Sequence, residues 1–394
     1  MKNGRVKLGE LCNVVTKGTT PTSLGYAFVS VGIPFLRIQN LGNSTVSLKK
    51  VLYINEETHQ ALKRSIIKPK DFLITIAGTI GRVAIVPDDF PECNCNQAVA
   101  ILRFDQEKLY PQYLLHWLST NDAIGQISGK KVTATISNLS LGQIKELEIP
   151  LPPLAEQKRI AGILDKADNL RRKRQQAIKL ADEFLRSVFL DMFGDPVTNP
   201  KGWKVVEIEE VCTDIVDCIN KTAKTVNYET PYKMIRTTNV RDYKIDVSSV
   251  RFAELEVYEK WVSRLIPEKG DIVFTREAPA GEAGIVDTDD LVFLGQRTMQ
   301  FRPNYKRVNS TYLLYEMMGG GIKRQMDKMS SGSTVKHLSV PECKKFKVRV
   351  PKLVLQTKFE EICNKVNKLV DTNKDAADTP LFYSLSQKAF AGQL

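Results

Sequence analysis

Histidine is scarce in this sequence: His59, His116 and His337 are the only three among 394 residues. The seven cysteines are odd in number and scattered along a long chain, which is not the pattern of a disulfide framework. No run approaches the ~18 consecutive apolar residues of a membrane span, and the opening MKNGRVKLGE has no apolar core of the kind an export signal carries. A cytoplasmic chain with no membrane association is therefore expected. The motifs of self-contained catalysis are missing as well. There is no GxGxxG cofactor turn, and Gly129-Lys130-Lys131 is not followed by the Ser or Thr of a phosphate-cradling loop. Asn199-Pro200 leads into Lys201 and Gly202 instead of the second proline and aromatic residue that hold a flipped adenine. Glu342-Cys343-Lys344 resembles the end of a Mg²⁺-nuclease motif, but the equivalent stretch earlier in the chain is Gln143-Ile144-Lys145, so a surface helix is the better reading. Cys93-x-Cys95 has neither the wider spacing nor the further ligands of a zinc site. No catalytic residue, metal or cofactor is expected on this chain.

What is abundant is positive charge. Fifty-seven Lys and Arg against 45 Asp and Glu leave +12, which favours a polyanionic partner. At 42% hydrophobic and 26% charged residues the chain has core enough for globular folding, and its length suggests two or three domains.

The chain also repeats itself. Shifted by 199 or 200 residues, Phe35-Leu36-Arg37 falls on Met234-Ile235-Arg236 and Asn40 on Asn239. Asp71 to Thr75 meets Asp271 to Thr275, Gln97 meets Gln296, Arg103 meets Arg302, Tyr113 meets Tyr312 and Gln157 meets Gln356. Colinear matches over both halves indicate a tandem duplication. Within each half, short β-branched runs such as Phe72–Ile76, Val83–Val86 and Ala98–Phe104 alternate with Gly, Pro, Asn and Asp, and read as strands. From Leu154 the pattern changes. Ile160, Leu164, Ala167, Arg171, Arg174, Ile178, Ala181, Leu185, Val188 and Met192 step by four and three, a heptad seam on a long helix that begins after Pro152-Pro153 and stops at Gly194-Asp195-Pro196. The seam recurs at Leu355, Phe359, Ile362, Val366 and Leu369, then is disturbed before Pro380.

The stretch Glu148–Ile160 (EIPLPPLAEQKRI), the helix end Phe189–Trp203 (FLDMFGDPVTNPKGW) and the C-terminus Ser384–Leu394 (SLSQKAFAGQL) resemble the specificity (S) subunits of type I restriction–modification enzymes. The resemblance runs over the whole chain and implies an α+β architecture. Two similar target-recognition domains, 1–150 and 196–350, alternate with two long spacer helices, 151–195 and 351–394, which form an antiparallel coiled coil with pseudo-twofold symmetry. The second repeat departs from the pattern at Val350–Gln356, which lacks the second proline and the Glu. The implied function is recognition of a bipartite double-stranded DNA target and scaffolding of a restriction–modification complex. The implied partners are two modification subunits, which bind S-adenosylmethionine and methylate adenine at N6, and restriction subunits that use ATP and Mg²⁺. The specificity subunit itself catalyses nothing. A modification-only system without a restriction partner is the alternative. A self-sufficient methyltransferase or nuclease is disfavoured by the missing motifs, and a purely protein-binding coiled-coil adaptor is the remaining rival.

DNA reading is expected from loops. The polar stretch 17–25 offers Lys17, Thr19, Thr20, Thr22 and Ser23, and its counterpart 220–227 offers Asn220, Lys221, Lys224 and Asn227. Arg82, Lys130 and Lys131 in the first half, with Arg276, Arg297, Lys328 and Lys336 in the second, complete the candidates, since Arg and Lys suit phosphate or guanine and Asn and Gln suit adenine. Arg37, Arg236, Thr75 and Thr275 sit in matching apolar runs, and a shared structural role is expected of them. On the helices, Arg171 and Arg174 are expected to face Asp371, Asn373 and Asp375 as a register-fixing polar layer.

Overall fold

A computed structural model describes residues 4–42, 44–129, 138–329, 338–372 and 379–394, and in the helical residues 371, 372, 379–381 and 383 it describes the backbone only. The chain forms two compact units, Met1–Arg174 with Asp375–Leu394, and Gln175–Lys374. The division falls inside the long helix, between Arg174 and Gln175, so each unit holds one set of sheets and about half of that helix.

In the first unit an antiparallel sheet takes the order Cys12–Lys17, Val99–Phe104, Phe72–Thr75, Val83–Ile85. A second sheet orders Leu52–Ile54, Ile33–Leu36, Cys93–Cys95, Ile66–Ile67, in which Cys93–Cys95 runs parallel to Ile33–Leu36. The unbroken apolar run from Val99 to Leu102 reflects burial on both faces. Val99 and Ile101 join Leu73, Leu36 and Cys95 in one core, while Ala100 and Leu102 join Phe72, Ile74, Tyr113 and Trp117 in the other. The second unit repeats the plan: Cys212–Asp217, Thr298–Pro303, Ile272–Thr275, Ala283–Ile285 in one sheet, and Arg251–Ala253, Tyr232–Ile235, Leu291–Leu294 in the other. Tyr232–Ile235 again runs parallel to the strand corresponding to Cys93–Cys95.

Residues identical in the two halves hold these frames together. Asp71 receives Arg103 Nε at 2.6 Å and the Lys68 amide at 2.8 Å, and Asp271 receives Arg302 Nε at 2.9 Å and the Glu268 amide at 2.8 Å. Asn40 accepts from the Arg37 amide, and Asn239 from the Arg236 amide, each at 3.0 Å. Thr75 Oγ1 accepts from the Arg82 amide at 2.9 Å, and Thr275 Oγ1 from the Glu282 amide at 3.0 Å, closing equivalent hairpins. Glu342, the nuclease-like carboxylate, is a helix cap. It accepts from the Ser339 amide at 2.9 Å, as Gln143 accepts from Ser140 at 2.8 Å.

Helix α1 (Pro111–Leu118) and the long helix α2 (Leu154–Phe193) are joined at their starts by Gln157, which accepts from the Tyr110 amide and donates to the Lys108 and Pro152 carbonyls at 2.8–2.9 Å. Helix α3 (Ser310–Met317) and helix α4 (Leu353–Thr372) share the same clamp through Gln356 and the Asn309 amide at 2.8 Å. In the second helical region α4 and α5 (Thr379–Phe390) are described, and 373–378 lie outside the described residues.

Helix pairing is antiparallel within each unit. In the first, Arg159 Nη2 donates to the Leu394 carbonyl at 2.9 Å and Arg171 lies 5.9 Å over the Phe382 ring, so α5 runs against α2. In the second, the α2 residues Phe193 and Phe189 meet Tyr312 and Tyr315 of α3 in reverse order, and both pack on Phe359 of α4. Ile160, Leu164 and Leu185 are buried, Ala167, Arg171, Arg174 and Ile178 half-buried. On α4, Phe359 is buried, Ile362 and Val366 half-buried, and Leu369 is 68% exposed. Phe189 and Phe193 lie outside the heptad seam yet are buried, because the end of α2 packs on α3 as well as on α4. Arg171 pairs with Asp168 one turn away, at 2.6 Å. The expected layer with Asp371, Asn373 and Asp375 lies outside the described residues and side chains.

The stop of α2 is chemically complete. Gly194 adopts φ +76°, and a Cβ there would sit 2.7 Å from Pro200 Cγ. Trp203 Nε1 and Arg349 Nη1 each donate to the Phe193 carbonyl at 2.9 Å, and Arg349 also reaches the Gly194 carbonyl. Arg349 is itself paired with Glu316 at 2.7 Å in a site where both are under 5% exposed.

Candidate nucleic-acid interface

Strand register dictates where the loops bearing the candidate residues converge. In the first unit Lys17 pairs with Ala100 and Thr75 with Val99. Two strands therefore end, and a third begins, at one edge of the sheet. Three connections emerge there: the loop after Lys17, the hairpin after Thr75, and the short turn Asn96-Gln97-Ala98 that joins the two sheets. They are laced by backbone hydrogen bonds, Gly18 N–H to Val99 O (3.0 Å), Thr19 N–H to Cys95 O (3.1 Å) and Ile76 N–H to Ala98 O (2.8 Å). The approach is so close that a Cβ on Gly18 would lie 2.1 Å from the Cys95 carbonyl oxygen, which only glycine permits. Leu139 N–H donates to Ile76 O at 2.8 Å, bringing the chain after residue 137 to the same edge.

The candidate residues of the first half gather at this edge. Lys17, Thr22 and Ser23 are exposed, Thr19 and Thr20 half-buried, and Arg82 is exposed at the hairpin. The loop is ordered by its own contacts: Pro21 is buried, a 3₁₀ turn spans Pro21–Leu24, and Ser23 Oγ donates to Thr20 O at 2.7 Å. Lys130 and Lys131 lie outside the described residues.

The second unit shows the same edge with different residues on it. Asp217 pairs with Met299 and Thr275 with Thr298; Cys218 N–H donates to Thr298 O (3.1 Å) and Arg276 N–H to Arg297 O (2.8 Å). Asn220, Lys221, Lys224 and Asn227 are exposed on the connection after Asp217, which buries Ala223 and bonds to the second sheet through Val226 N–H to Phe252 O at 2.9 Å. Arg276 is half-buried and donates from Nη1 to the Leu338 carbonyl at 3.1 Å, so its side chain holds the returning chain in place. Arg297 is exposed and lies 3.1 Å from Glu277, which offsets part of its charge at this edge. Lys328 is exposed near the end of the helix Gly320–Met329, and Lys336 lies outside the described residues.

Two exposed glutamines were missing from the candidates. Gln97 and Gln296 occupy the inter-sheet turns at the centre of the two edges. The signal was their identity in the two repeats, but only strand pairing places them among the candidate-bearing loops.

The remaining reactive groups belong to the core. Cys93 and Cys95 face the space between the two sheets, and burial pushes the Cys93 thiol up to about 12 and Cys95 upward as well. His59 is buried and bonded to Glu92 at 2.7 Å and to Asn94. Among the described residues, no group of three His, Cys, Asp or Glu side chains could hold a metal ion. No described helix is long and apolar enough to cross a membrane.

What the two edges offer is two polar, cation-bearing loop surfaces on matching rigid frames, a form suited to phosphates and base edges. Comparison with known proteins agrees. The model of the type I restriction modification DNA specificity domain matches residues 2–180 and again 200–378. The MjaVIII type I restriction enzyme specificity subunit of Methanocaldococcus jannaschii is 27% identical over 58% of this chain and 57% of its own length. A second protein of that organism is 22% identical over 87% of this chain and 82% of its own. The EcoKI specificity subunit of Escherichia coli is 22% identical over 62% of this chain and 54% of its own length. In fold, the chain is similar to the type I system S subunit from M. genitalium, with TM-score 0.58 and 16% identity over 98% of this chain and 96% of that one. A chain from a structure of type I R-M complex assembly gives TM-score 0.52 at 20% identity, over 99% and 98% of the two chains. With both halves matched by the same family model, the chain belongs to the type I restriction modification DNA specificity family.

Proposed function

We propose that this chain recognises a bipartite double-stranded DNA sequence, one half-site per recognition domain (1–150 and 196–350), and scaffolds a type I restriction–modification complex. The observation that carries this reading is the pair of loop-bearing sheet edges, alike in backbone frame and unlike in exposed residues. Like frames impose the same mode of docking, and unlike loops select different bases. The chain is the non-catalytic component. Two modification subunits supply S-adenosylmethionine-dependent methylation of adenine, and restriction subunits supply ATP- and Mg²⁺-dependent cleavage. The paired helices are the scaffold on which these partners assemble, in the cytoplasm. The relatives bear the names of restriction enzymes, which favours a complex with restriction subunits over a modification-only one.

The test is methylome sequencing of a host carrying the full chain with its modification subunit. The modified sites should consist of two short specified segments around a fixed run of unspecified bases. Replacing residues 1–150 by the recognition domain of another such subunit should change one segment and leave the other intact. A swap that alters both segments contradicts one domain per half-site.

A further inference from the structure

The loops at the two edges differ in sequence, yet the inter-sheet turn at the centre of each carries the same exposed amide, Gln97 in one and Gln296 in the other. Both turns are tied by backbone hydrogen bonds to neighbouring strands and loops. In the first, Asn96 N–H donates to Leu36 O (3.0 Å) and Val99 N–H to Asn96 O (3.1 Å), while the Cys95, Ala98 and Val99 carbonyls accept from Thr19, Ile76 and Gly18. In the second, Gly295 N–H donates to Ile235 O (2.7 Å), and the Arg297 and Thr298 carbonyls accept from Arg276 and Cys218. With Ala98 buried and Asn96 half-buried, the glutamine side chain is what the first turn presents outward.

A threonine of the adjoining loop lies beside each amide. Thr20 Oγ1 donates to Gln97 Oε1, and Thr222 Oγ1 donates to Gln296 Oε1 over a longer 3.4 Å. The threonines are not in register: Thr20 is the third residue after Lys17, and Thr222 the fifth after Asp217. Each loop thus brings a threonine to its glutamine from a different position. A hydroxyl bonded to Oε1 takes up one of its lone pairs, and among the described residues no partner bonds the other lone pair or the Nε2 hydrogens. That arrangement matches the major-groove edge of adenine, which offers a donor at N6 and an acceptor at N7.

Resting on the bipartite-recognition reading, we infer that Gln97 and Gln296 are specificity-determining residues, each a threonine-oriented amide that reads an adenine in its own half-site. Differing loops read what differs between the half-sites, and the shared residue reads the base that the two have in common. A side chain on a rigid turn has little backbone freedom to lose on binding, which makes it a better reader than one on a mobile loop.

The experiment uses the full chain in complex with its modification subunits and sequences the methylated sites. Gln97→Ala should relax one adenine position of the first half-site by roughly 5- to 150-fold in discrimination and leave the second half-site alone. Gln296→Ala should do the reverse. Thr20→Val, which keeps the glutamine and removes only its orienting hydroxyl, should relax the same position as Gln97→Ala by a smaller factor. It also tests the idea should Gln97→Ala fail to fold. Unchanged half-sites, relaxation at a position other than adenine, or loss spread over a whole half-site overturns the inference, the last leaving the glutamine a loop brace. If the unaltered complex methylates no bipartite site, the functional reading fails, and this inference falls with it.

Discussion

At the scale of single residues, the side chains shared by the two repeats divide into braces and readers. Asp71 with Arg103, Asn40, Thr75 and Gln157, and their partners in the second half, spend their polar groups on backbone. The glutamines of the inter-sheet turns, by contrast, are shared and exposed. The second half adds one buried pair, Glu316–Arg349, whose Arg caps the end of the long helix. Removing one partner of such a pair leaves a charge buried without compensation, at a cost of about 3–5 kcal/mol. Glu316→Gln should therefore lower the stability of the second unit by that order in denaturant unfolding. Glu316→Leu with Arg349→Met, which removes both charges, should recover much of the loss. A single variant that melts like the parent would mean that the pair is solvated in solution.

The next scale is the helix. The C-terminal stretch Thr379–Phe390 follows the second recognition domain in sequence but packs on the first: Phe390 lies 5.0 Å from Tyr113, Phe382 lies 6.1 Å from His116, and Ala389 is buried. Deleting residues 379–394 should therefore destabilise the first unit, by at least ~3 kcal/mol for the apolar groups uncovered. In hydrogen exchange, Pro111–Leu118 and the first turns of the long helix should lose protection while Ser310–Met317 keeps its own. Equal loss in both units, or none, would contradict the packing. The expected heptad seam buries Ile160, Leu164, Leu185 and Phe359. It was incomplete at Phe189 and Phe193, where a third helix adds a second buried face, and at Leu369, which is largely exposed.

At the scale of the whole molecule, a single unbroken helix of 40 residues links the two units, a length of ~60 Å at 1.5 Å per residue. If that helix sets the span between half-sites, four residues inserted beside Lys173 add ~6 Å, close to two base pairs at ~3.4 Å each. The methylome of the insertion variant should show the unspecified run lengthened by about two bases and both half-sites preserved. Altered half-sites with an unaltered run would refute the ruler. The +12 charge should also make binding fall steeply with salt, since each phosphate contact releases counterions.

The sequence by itself determined the duplication, the alternation of mixed domains with helices, the ends of the long helix and the absence of catalytic motifs. Each of these is written locally, in identity at a fixed offset, in hydrophobic period, and in the Pro and Gly that start and stop a helix. It also marked Arg37, Thr75 and their counterparts as structural, because their apolar surroundings leave them little but backbone to bond. Tertiary structure alone decided which loops meet. Residues 18, 75 and 97 are far apart in the chain and become neighbours only through antiparallel strand register. The same register separates Arg276, drawn inward to the Leu338 carbonyl, from Lys17, which stays at the surface, although both read as equivalent cations in the sequence. Which domain the C-terminal helix covers was equally hidden, since an apolar seam specifies that a partner exists and not where the chain will find it.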